Sequence, residues 1–323
     1  GKNTMNQRIL APLALMAAMA VPVAAQEYTF KIGHTNAAGE VQDKGLEKMK
    51  ELLEAKTGGA ATLEIYPGGQ LGDEAQLIEG VMLGSIDMSM TSNSLLSNYV
   101  EDYKVFDMPF LFPSIAGVGE KVDANWTMME ASANGAGFEL LGVFSSGVRH
   151  LMTKKPVESM ADLKGLKIRT MQNPVHVEAW RAYGANPTPM SYSELYGALQ
   201  SGVVDGAEAA SGGYDGMKFY EVAPDFALVG WMNMIAPVVM KKGAYDALPE
   251  NIQTALIESG KEAAQWQRNY VEEQEQPLID KLRAAGAKIT EPDPAPFREA
   301  SKPLYESQLT TDGQKALLKA MTE

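Results

Sequence analysis

The run from Ala161 to Glu208 constrains the fold most, because it contains two strand–helix units back to back. Asp162 to Lys164 reads as one short helical turn, stopped by Gly165. Leu166-Lys167-Ile168-Arg169-Thr170 alternates apolar and polar residues with period two, as a half-buried strand does. Pro174 ends that strand, and Val175 to Tyr183 reads as a helix stopped at Gly184-Ala185-Asn186-Pro187. Ser191-Tyr192-Ser193-Glu194 then forms a capping box, in which the serine hydroxyl takes a free N–H of the first turn and Glu194 reaches back. The helix it starts runs to Gly202, and Val203-Val204-Asp205-Gly206 opens the next strand. Arg169 therefore stands at the end of a strand, where open α/β sheets bind their ligands.

The rest of the chain follows the same grammar. Tyr28 to Gly33 is a period-two strand leading into His34-Thr35-Asn36. The helix from Val41 to Lys56 keeps Leu46, Met49 and Leu53 on one face, and Thr57-Gly58-Gly59 stops it. A strand from Thr62 to Tyr66, a helix from Glu74 to Gly84 and a strand from Ile86 to Met90 complete a β–α–β–α–β series, the signature of a mostly parallel sheet with covering helices. Helix, Gly84-Ser85-Ile86-Asp87, strand recurs as helix, Gly202-Val203-Val204-Asp205, strand, which agrees with two similar lobes across a cleft. Phe106 to Phe112, with Pro109, reads as an apolar crossing segment, and Val122 to Met129 as a helix. Phe138 to Phe144 is a buried strand that continues to Arg149 and makes the first passage between lobes. Ala210 to Gly216 is a glycine-rich turn without a phosphate-binding fingerprint. Phe226 to Trp231 and Ile235 to Met240 are apolar strands with the second passage between them, and Ala244 to Leu248 is a short helix.

From Asn251 to Ala285 the pattern is helical for about 35 residues, or roughly 50 Å. Leu256, Ala263, Trp266, Tyr270 and Leu278 form its expected apolar side, and Pro277 should kink it. A strand at Lys288 to Thr290 and two short helices close the chain. At 323 residues and 45% hydrophobic, the chain can bury a large core and is expected to form a two-lobed α/β protein. The expected partition gives residues 26–146 and 235–272 to the first lobe, and 147–234 and 273–323 to the second.

Met5-Asn6-Gln7-Arg8, an apolar run from Ile9 to Val23 and the small residues Val23-Ala24-Ala25 read as a signal peptide spanning residues 1–25, cleaved before Gln26. The apolar run falls short of the roughly 20 residues a bilayer needs. The product is expected to be exported and soluble. Beyond that segment 26 basic residues face 41 acidic ones, a net charge of −15 that argues against nucleic acid. The chain has no cysteine, which excludes disulfides, thiolate metal sites and thiol nucleophiles. His34, His150 and His176 lie far apart without ligand spacing, so no metal site is expected. No cofactor motif is present. There is no G-x-S-x-G and no H-E-x-x-H, and the carboxylates form no recognisable catalytic pair, so no enzyme is expected.

The words Ala161-Asp-Leu-Lys-Gly-Leu-Lys-Ile-Arg169, Gly184-Ala-Asn-Pro-Thr-Pro-Met190, Ser193-Glu-Leu-Tyr-Gly-Ala-Leu-Gln-Ser-Gly-Val-Val-Asp-Gly206 and Lys218-Phe-Tyr-Glu-Val222 resemble the solute-binding proteins of tripartite ATP-independent periplasmic (TRAP) transporters, DctP type. The resemblance extends over essentially all the chain beyond residue 25. It implies a type II-like periplasmic binding protein, with a cleft between lobes and a long helix spanning both. It also implies a periplasmic, monomeric receptor that hands a small carboxylate solute to separate membrane permease subunits.

The candidate site combines residue chemistry with that resemblance. Of the six arginines beyond residue 25, Arg181, Arg268, Arg283 and Arg298 fall in expected helices or beside acidic residues and read as solvated faces. Arg149 and Arg169 each end an apolar strand, where a guanidinium can hold a carboxylate by two parallel N–H···O bonds. The alternative for each is an internal salt bridge. The resemblance makes Arg169 the carboxylate partner and adds Thr35, Glu74, Ser92 or Asn93, Gln172, Tyr192, Glu208 and Ala209. Many relatives read Gln-Glu-Asn-Pro where this chain reads Ala207-Glu208-Ala209-Ala210, so a polar contact is lost. Tyr192, Tyr214 and Trp231 are offered either to the apolar face of a sugar ring or to the core. His34 and His150 are supporting donors or satisfied core residues. These features favour a uronate or aldonate receptor. The alternatives are a C4-dicarboxylate receptor and an exported enzyme acting on a carboxylate.

Overall fold

The computed structural model describes residues 27–323, so the segment read as a signal peptide lies outside the described residues. The first unit runs β1 (Tyr28–Gly33), α1 (Val41–Lys56), β2 (Ala61–Tyr66), α2 (Glu74–Leu83) and β3 (Met88–Met90). The strands stand in the order β2-β1-β3, all parallel, as the alternating β and α pattern requires. α1 buries Leu46, Met49 and Leu53 completely against Phe30, Ile32 and Leu63. Each such side chain contributes about 1.5–3 kcal/mol relative to exposure.

A cap of α3 (Asn93–Leu96), a 3-10 segment (Glu101–Asp107), α4 (Ile115–Ala124) and α5 (Trp126–Gly135) follows. The single helix expected over Val122 to Met129 is two helices broken at Asn125, whose φ of −117° and ψ of 25° leave the helical region. Phe106 to Phe112, read as an apolar crossing segment, is the end of the 3-10 segment and the loop after it: Phe106, Met108 and Phe112 are core residues, and the Phe110 N–H donates to the Trp231 carbonyl.

β4 (Phe138–Thr153) carries the chain to the second unit. That unit is β5 (Lys167–Thr170), α6 (Pro174–Ala182), β6 (Asn186–Pro189), α7 (Tyr192–Ser201), β7 (Gly206–Ala210) and α8 (Ser211–Gly216). Three expectations are corrected here. Asn186-Pro187-Thr188-Pro189 is an edge strand on β5, the position where proline costs no ladder bond. The glycine-rich turn after Ala210 is a short helix. The two apolar runs around Asn233 form one strand, β8 (Asp225–Lys241).

β8 pairs antiparallel with β3 and with β4, and β4 pairs antiparallel with β7, so one nine-stranded sheet runs through both lobes. The expected passages are therefore neighbours: Ser145 faces Ile235 and Val148 faces Asn233, with pairing irregularities between them and at Arg149. A two-stranded ribbon with bulges can bend while its ladder persists.

α9 (Lys242–Asp246), α10 (Glu250–Ala284), β9 (Lys288–Thr290), α11 (Ala295–Gln308) and α12 (Asp312–Thr322) complete the chain. α10 is 35 residues long and continuous through Pro277. Its buried face holds Leu256, Ala263, Ala264, Gln267, Arg268 and Val271, whereas Trp266 is exposed and stacks on Tyr270 at 5.4 Å. Gln267 clamps the ribbon by donating to the Ser145 carbonyl and accepting from the Ser145 N–H, both at 2.8 Å. Arg268 is not on a solvated face. It is buried, donates to the Val143 carbonyl at 2.7 Å and pairs with Asp123 at 2.6 Å. α12 reaches back to the first unit, where the Gln314 amide donates to the Glu101 carbonyl.

The internal echo is a geometric equivalence. The Lys31 N–H donates to Asp87 and the Lys167 N–H to Asp205, each at 2.8 Å. Ile32 pairs with Met88 as Ile168 pairs with Gly206. Both helices that precede these aspartates end on a left-handed glycine, Gly84 and Gly202, and both begin with a capping box.

Candidate functional site

The elements above bring four charged side chains to one place. Arg149 lies on β4 opposite Ala210, and Glu208 sits two residues from Ala210 on β7, so the two long side chains are diagonal neighbours on one sheet face. Arg149 Nε donates to Glu208 Oε2 at 2.7 Å and Nη2 to Oε1 at 2.8 Å, a two-pronged pair. Arg149 is 7% exposed and Glu208 1%. Burial works against both charges, yet each holds the other ionised: the Arg149 pKa is raised and the Glu208 pKa lowered from their ordinary values.

Arg169 differs. It is 2% exposed, its Nε donates to the Met190 carbonyl at 3.0 Å, and its Nη1 stands 4.0 Å from Glu208 without a hydrogen-bond partner among the described residues. Burial is the largest influence on it and lowers its pKa, with Arg149 adding to that and Glu208 and Glu74 opposing. Its guanidinium lies 6.0 Å from the centre of the Tyr192 ring. A buried cation with an unmet donor is costly unless an acceptor meets it.

Glu74 is the first residue of α2 and accepts from the Ser92 N–H and hydroxyl, each at 2.7 Å. Burial raises its pKa although Ser92, Arg169 and Arg149 all favour the anion. Tyr192 occupies the equivalent first position of α7, and its phenol pKa is raised mainly by burial.

These groups line two small cavities that share Glu74 and Tyr192. The larger, about 40 Å³, is also lined by Thr35, Asn36, Gln42, Ser92, Ser146, Arg149, Met171, Ala209, Ala210 and Gly213. The smaller, about 10 Å³, is lined by Arg169 and Gln172 together with Asp73, Leu95, Met190 and Ser191. Thus Arg149, Arg169, Gln172, Glu74, Thr35, Ser92, Tyr192 and Ala209 meet at one site, with Glu208 behind Arg149.

Three expected members are elsewhere. Asn93 is fully buried and donates to the Tyr103 carbonyl and to Asp107. Tyr214 stacks on Phe226 in the core, its hydroxyl on the Ala223 carbonyl. Trp231 packs against His176 and Trp180. Of the histidines, His34 bonds Asp43 at 3.0 Å and its pKa is lowered by burial, while His150 bonds Glu275 and the Gly230 N–H, so both support backbone and core. No group of metal-ligating side chains occurs among the described residues.

The sequence reading missed Asn36, Gln42, Ser146 and Met171. Gln42 left a signal: it interrupts with a polar side chain the stripe that Leu46, Met49 and Leu53 continue. Chemically, each cavity pairs a guanidinium with an amide, Arg169 with Gln172 and Arg149 with Gln42, and Glu74 borders both, a mixture of donors and acceptors that suits a hydroxylated anion.

The family model described as bacterial extracellular solute-binding protein, family 7, matches residues 32–312. The chain is 33% identical over 281 residues to the 2,3-diketo-L-gulonate-binding periplasmic protein of Escherichia coli K12, covering 86% of this chain and 85% of that one. It is similar to the crystal structure of a TRAP periplasmic solute-binding protein from Roseobacter denitrificans with bound β-D-glucuronate, with a TM-score of 0.86 at 28% identity over 91% of this chain and 99% of that one. A Polaromonas TRAP solute-binding protein bound to D-erythronate gives a TM-score of 0.86 at 29% identity over 92% and 98%.

Proposed function

This chain belongs to family 7 of the bacterial extracellular solute-binding proteins, and we propose that it is a TRAP receptor for a hydroxylated monocarboxylate, a uronate or aldonate. One observation carries the choice: Arg149 is already neutralised by Glu208, whereas buried Arg169 keeps a donor without an acceptor. A solute carboxylate supplies that acceptor, with the two-pronged geometry a guanidinium favours. The remaining charges at the site are Glu74 and its neighbour Asp73, carboxylates that accept from hydroxyls and repel a second carboxylate. The glucuronate and erythronate in the similar structures have this chemistry, a carboxylate followed by hydroxyls. Tyr192 offers a ring face between the two ends.

The cavities are small, so a sugar acid enters when the lobes part, and closure about the bulged β4–β8 ribbon seals it in. The closed receptor then delivers the solute to the membrane permease subunits. We assign residues 26–146 and 235–272 to one lobe and 147–234 and 273–323 to the other, and read the receptor as a monomer without catalytic activity. Family membership supports a periplasmic location. The charge–apolar–small pattern of residues 5–25 supports export with processing after Ala25, and N-terminal sequencing of the exported protein checks it.

Competitive calorimetry with glucuronate, galacturonate and gluconate beside succinate, malate and fumarate tests the solute class. At least one sugar acid should bind at micromolar concentration or tighter. Micromolar succinate binding with no response to any sugar acid would overturn the assignment.

A further inference from the structure

We infer that Gln42 is a specificity-determining residue, which hydrogen-bonds a solute hydroxyl at the end of the cleft away from Arg169. This deepens the proposed function and rests on it. Gln42 is the second residue of α1, only 5% exposed, and lines the larger cavity beside Asn36 and Ser146. Its Oε1 is buried without a hydrogen-bond partner among the described residues. The next inward positions of the same helix, Leu46, Met49 and Leu53, are apolar and fully buried, so packing alone calls for an apolar residue here as well. A buried amide oxygen without a donor is destabilising. Nearly every buried polar atom of a native protein finds a partner, and an orphan that lines a ligand cavity points to the ligand as that partner.

The two orphans are complementary. Arg169, whose Nη1 lacks an acceptor, lines the smaller cavity, whereas Gln42, whose Oε1 lacks a donor, lines the larger one. Glu74 and Tyr192 border both cavities, so one molecule reaching from Arg169 past Glu74 meets Gln42. A hydroxyl donates to the Gln42 oxygen. A carboxylate has no proton to give that oxygen, and it would stand in the cavity that Glu74 also lines. Gln42 thereby separates polyhydroxylated acids from dicarboxylates, and ranks sugar acids by whether a hydroxyl reaches it.

The test compares wild-type protein with Gln42→Met, a swap of similar length and helix propensity that cannot accept an amide-type hydrogen bond. Calorimetry is run with whichever of glucuronate, galacturonate and gluconate binds most tightly, and with its monodeoxy analogues. The substitution should weaken the parent acid about 5- to 20-fold, the usual weight of one hydrogen bond. For one deoxy analogue the two proteins should agree within about twofold, because the partner hydroxyl is already gone. Without solute, the melting temperature of the variant should hold or rise, since the orphan atom has been removed. Parent-acid affinity within twofold of wild type overturns the inference. An equal loss for every deoxy analogue, or a lower melting temperature with unchanged selectivity, also overturns it in favour of a packing role. A wild-type protein that binds none of the sugar acids but does bind succinate instead refutes the solute class itself.

Discussion

Replacing Glu40 by glutamine is expected to remove most of the pH dependence of solute affinity. Glu40 caps the start of α1, accepts from the Ala37 N–H and from Asn36 Nδ2, each at 3.2 Å, and lies so close to Gly216 of α8 that a Cβ there would collide with it. Burial raises its pKa from 4.5 to about 7, the two hydrogen bonds oppose that rise, and Asp215 and Asp43 add to it. The other charged groups nearby are His34, bonded to Asp43, Lys281, paired with Asp215, and Lys44, which borders the same groove between α1, α8 and α10. On the lobe assignment proposed above, α1 and α8 belong to opposite lobes, so the part of the burial of Glu40 that Gly216 and its neighbours supply is lost when the cleft opens. Opening returns the carboxyl towards its ordinary value. A closed state with the higher pKa binds a proton more tightly than the open one. Closure is therefore favoured most below pH 4.5, and that advantage fades as pH rises through about 7. Between pH 6 and pH 8 the affinity should fall, by at most about tenfold or roughly 1.4 kcal/mol. The carboxyl of a sugar acid stays ionised throughout that range. Calorimetry with glucuronate at pH 6, 7 and 8 measures the slope in both proteins. Glu40→Gln should vary less than about twofold and bind more tightly than wild type at pH 8. A variant with the wild-type slope would refute the reasoning, because the proton would then belong to another group.

Arg169→Ala should weaken solute binding by about 2–5 kcal/mol, and Arg169→Lys should recover only part of that because a point charge lacks the two-pronged geometry. Unchanged affinity in folded protein would move the anion site elsewhere. Gly260→Ala should destabilise the fold by about 1–3 kcal/mol, since its Cβ would strike the Leu141 carbonyl where α10 crosses β4. Urea unfolding checks it, and an unaltered midpoint would show that helix and strand can separate at no cost.

What was legible in the sequence follows from how local each determinant is. α1 announces itself by an apolar stripe, α7 by its capping box, and β1 and β5 by alternation, because these depend on residues a few positions apart. β6 was missed because two prolines in four residues argue against a strand, unless it lies at an edge, and edge position is a tertiary fact. α8 was missed because Ser-Gly-Gly-Tyr-Asp-Gly has poor helix propensity. Packing overrides that, with Tyr214 stacked on Phe226 and the Ser211 hydroxyl on Glu275. Arg268 was misread although its spacing was informative: it sits four residues after Ala264 and three before Val271, on the buried stripe of α10. Arg169 was found because a charge near the end of an apolar strand is a local anomaly; Arg149 was reached by the same reasoning, but β4 runs on to Thr153, so Arg149 stands within its strand and not at the end. That Glu208 takes Arg149 and leaves Arg169 free is set by strand pairing across 59 residues. Tyr214 and Trp231 could not be assigned from sequence, since an aromatic side chain suits a core as well as a sugar ring.

The equivalence between the two units explains why the site is charged asymmetrically. Aligning Asp87 with Asp205 brings Gly84 onto Gly202, Gly33 onto Arg169 and Glu74 onto Tyr192. At the first of these strand positions one unit has glycine, where a Cβ would crowd Leu77, and the other has the guanidinium. At the helix start, one unit supplies a carboxylate and the other an aromatic ring. Each unit alone therefore offers half of what a hydroxylated anion needs. The second unit has Arg169 and Tyr192 for the carboxylate and ring. The first has Glu74, and on our inference Gln42, for the hydroxyls. A simple monocarboxylate such as acetate could satisfy Arg169 without touching the first unit, so it would gain little from closure. A solute that reaches both halves makes its second set of bonds only when the lobes meet, and those bonds shift the equilibrium by their full differential strength. The asymmetry thus couples recognition of the hydroxyls to closure.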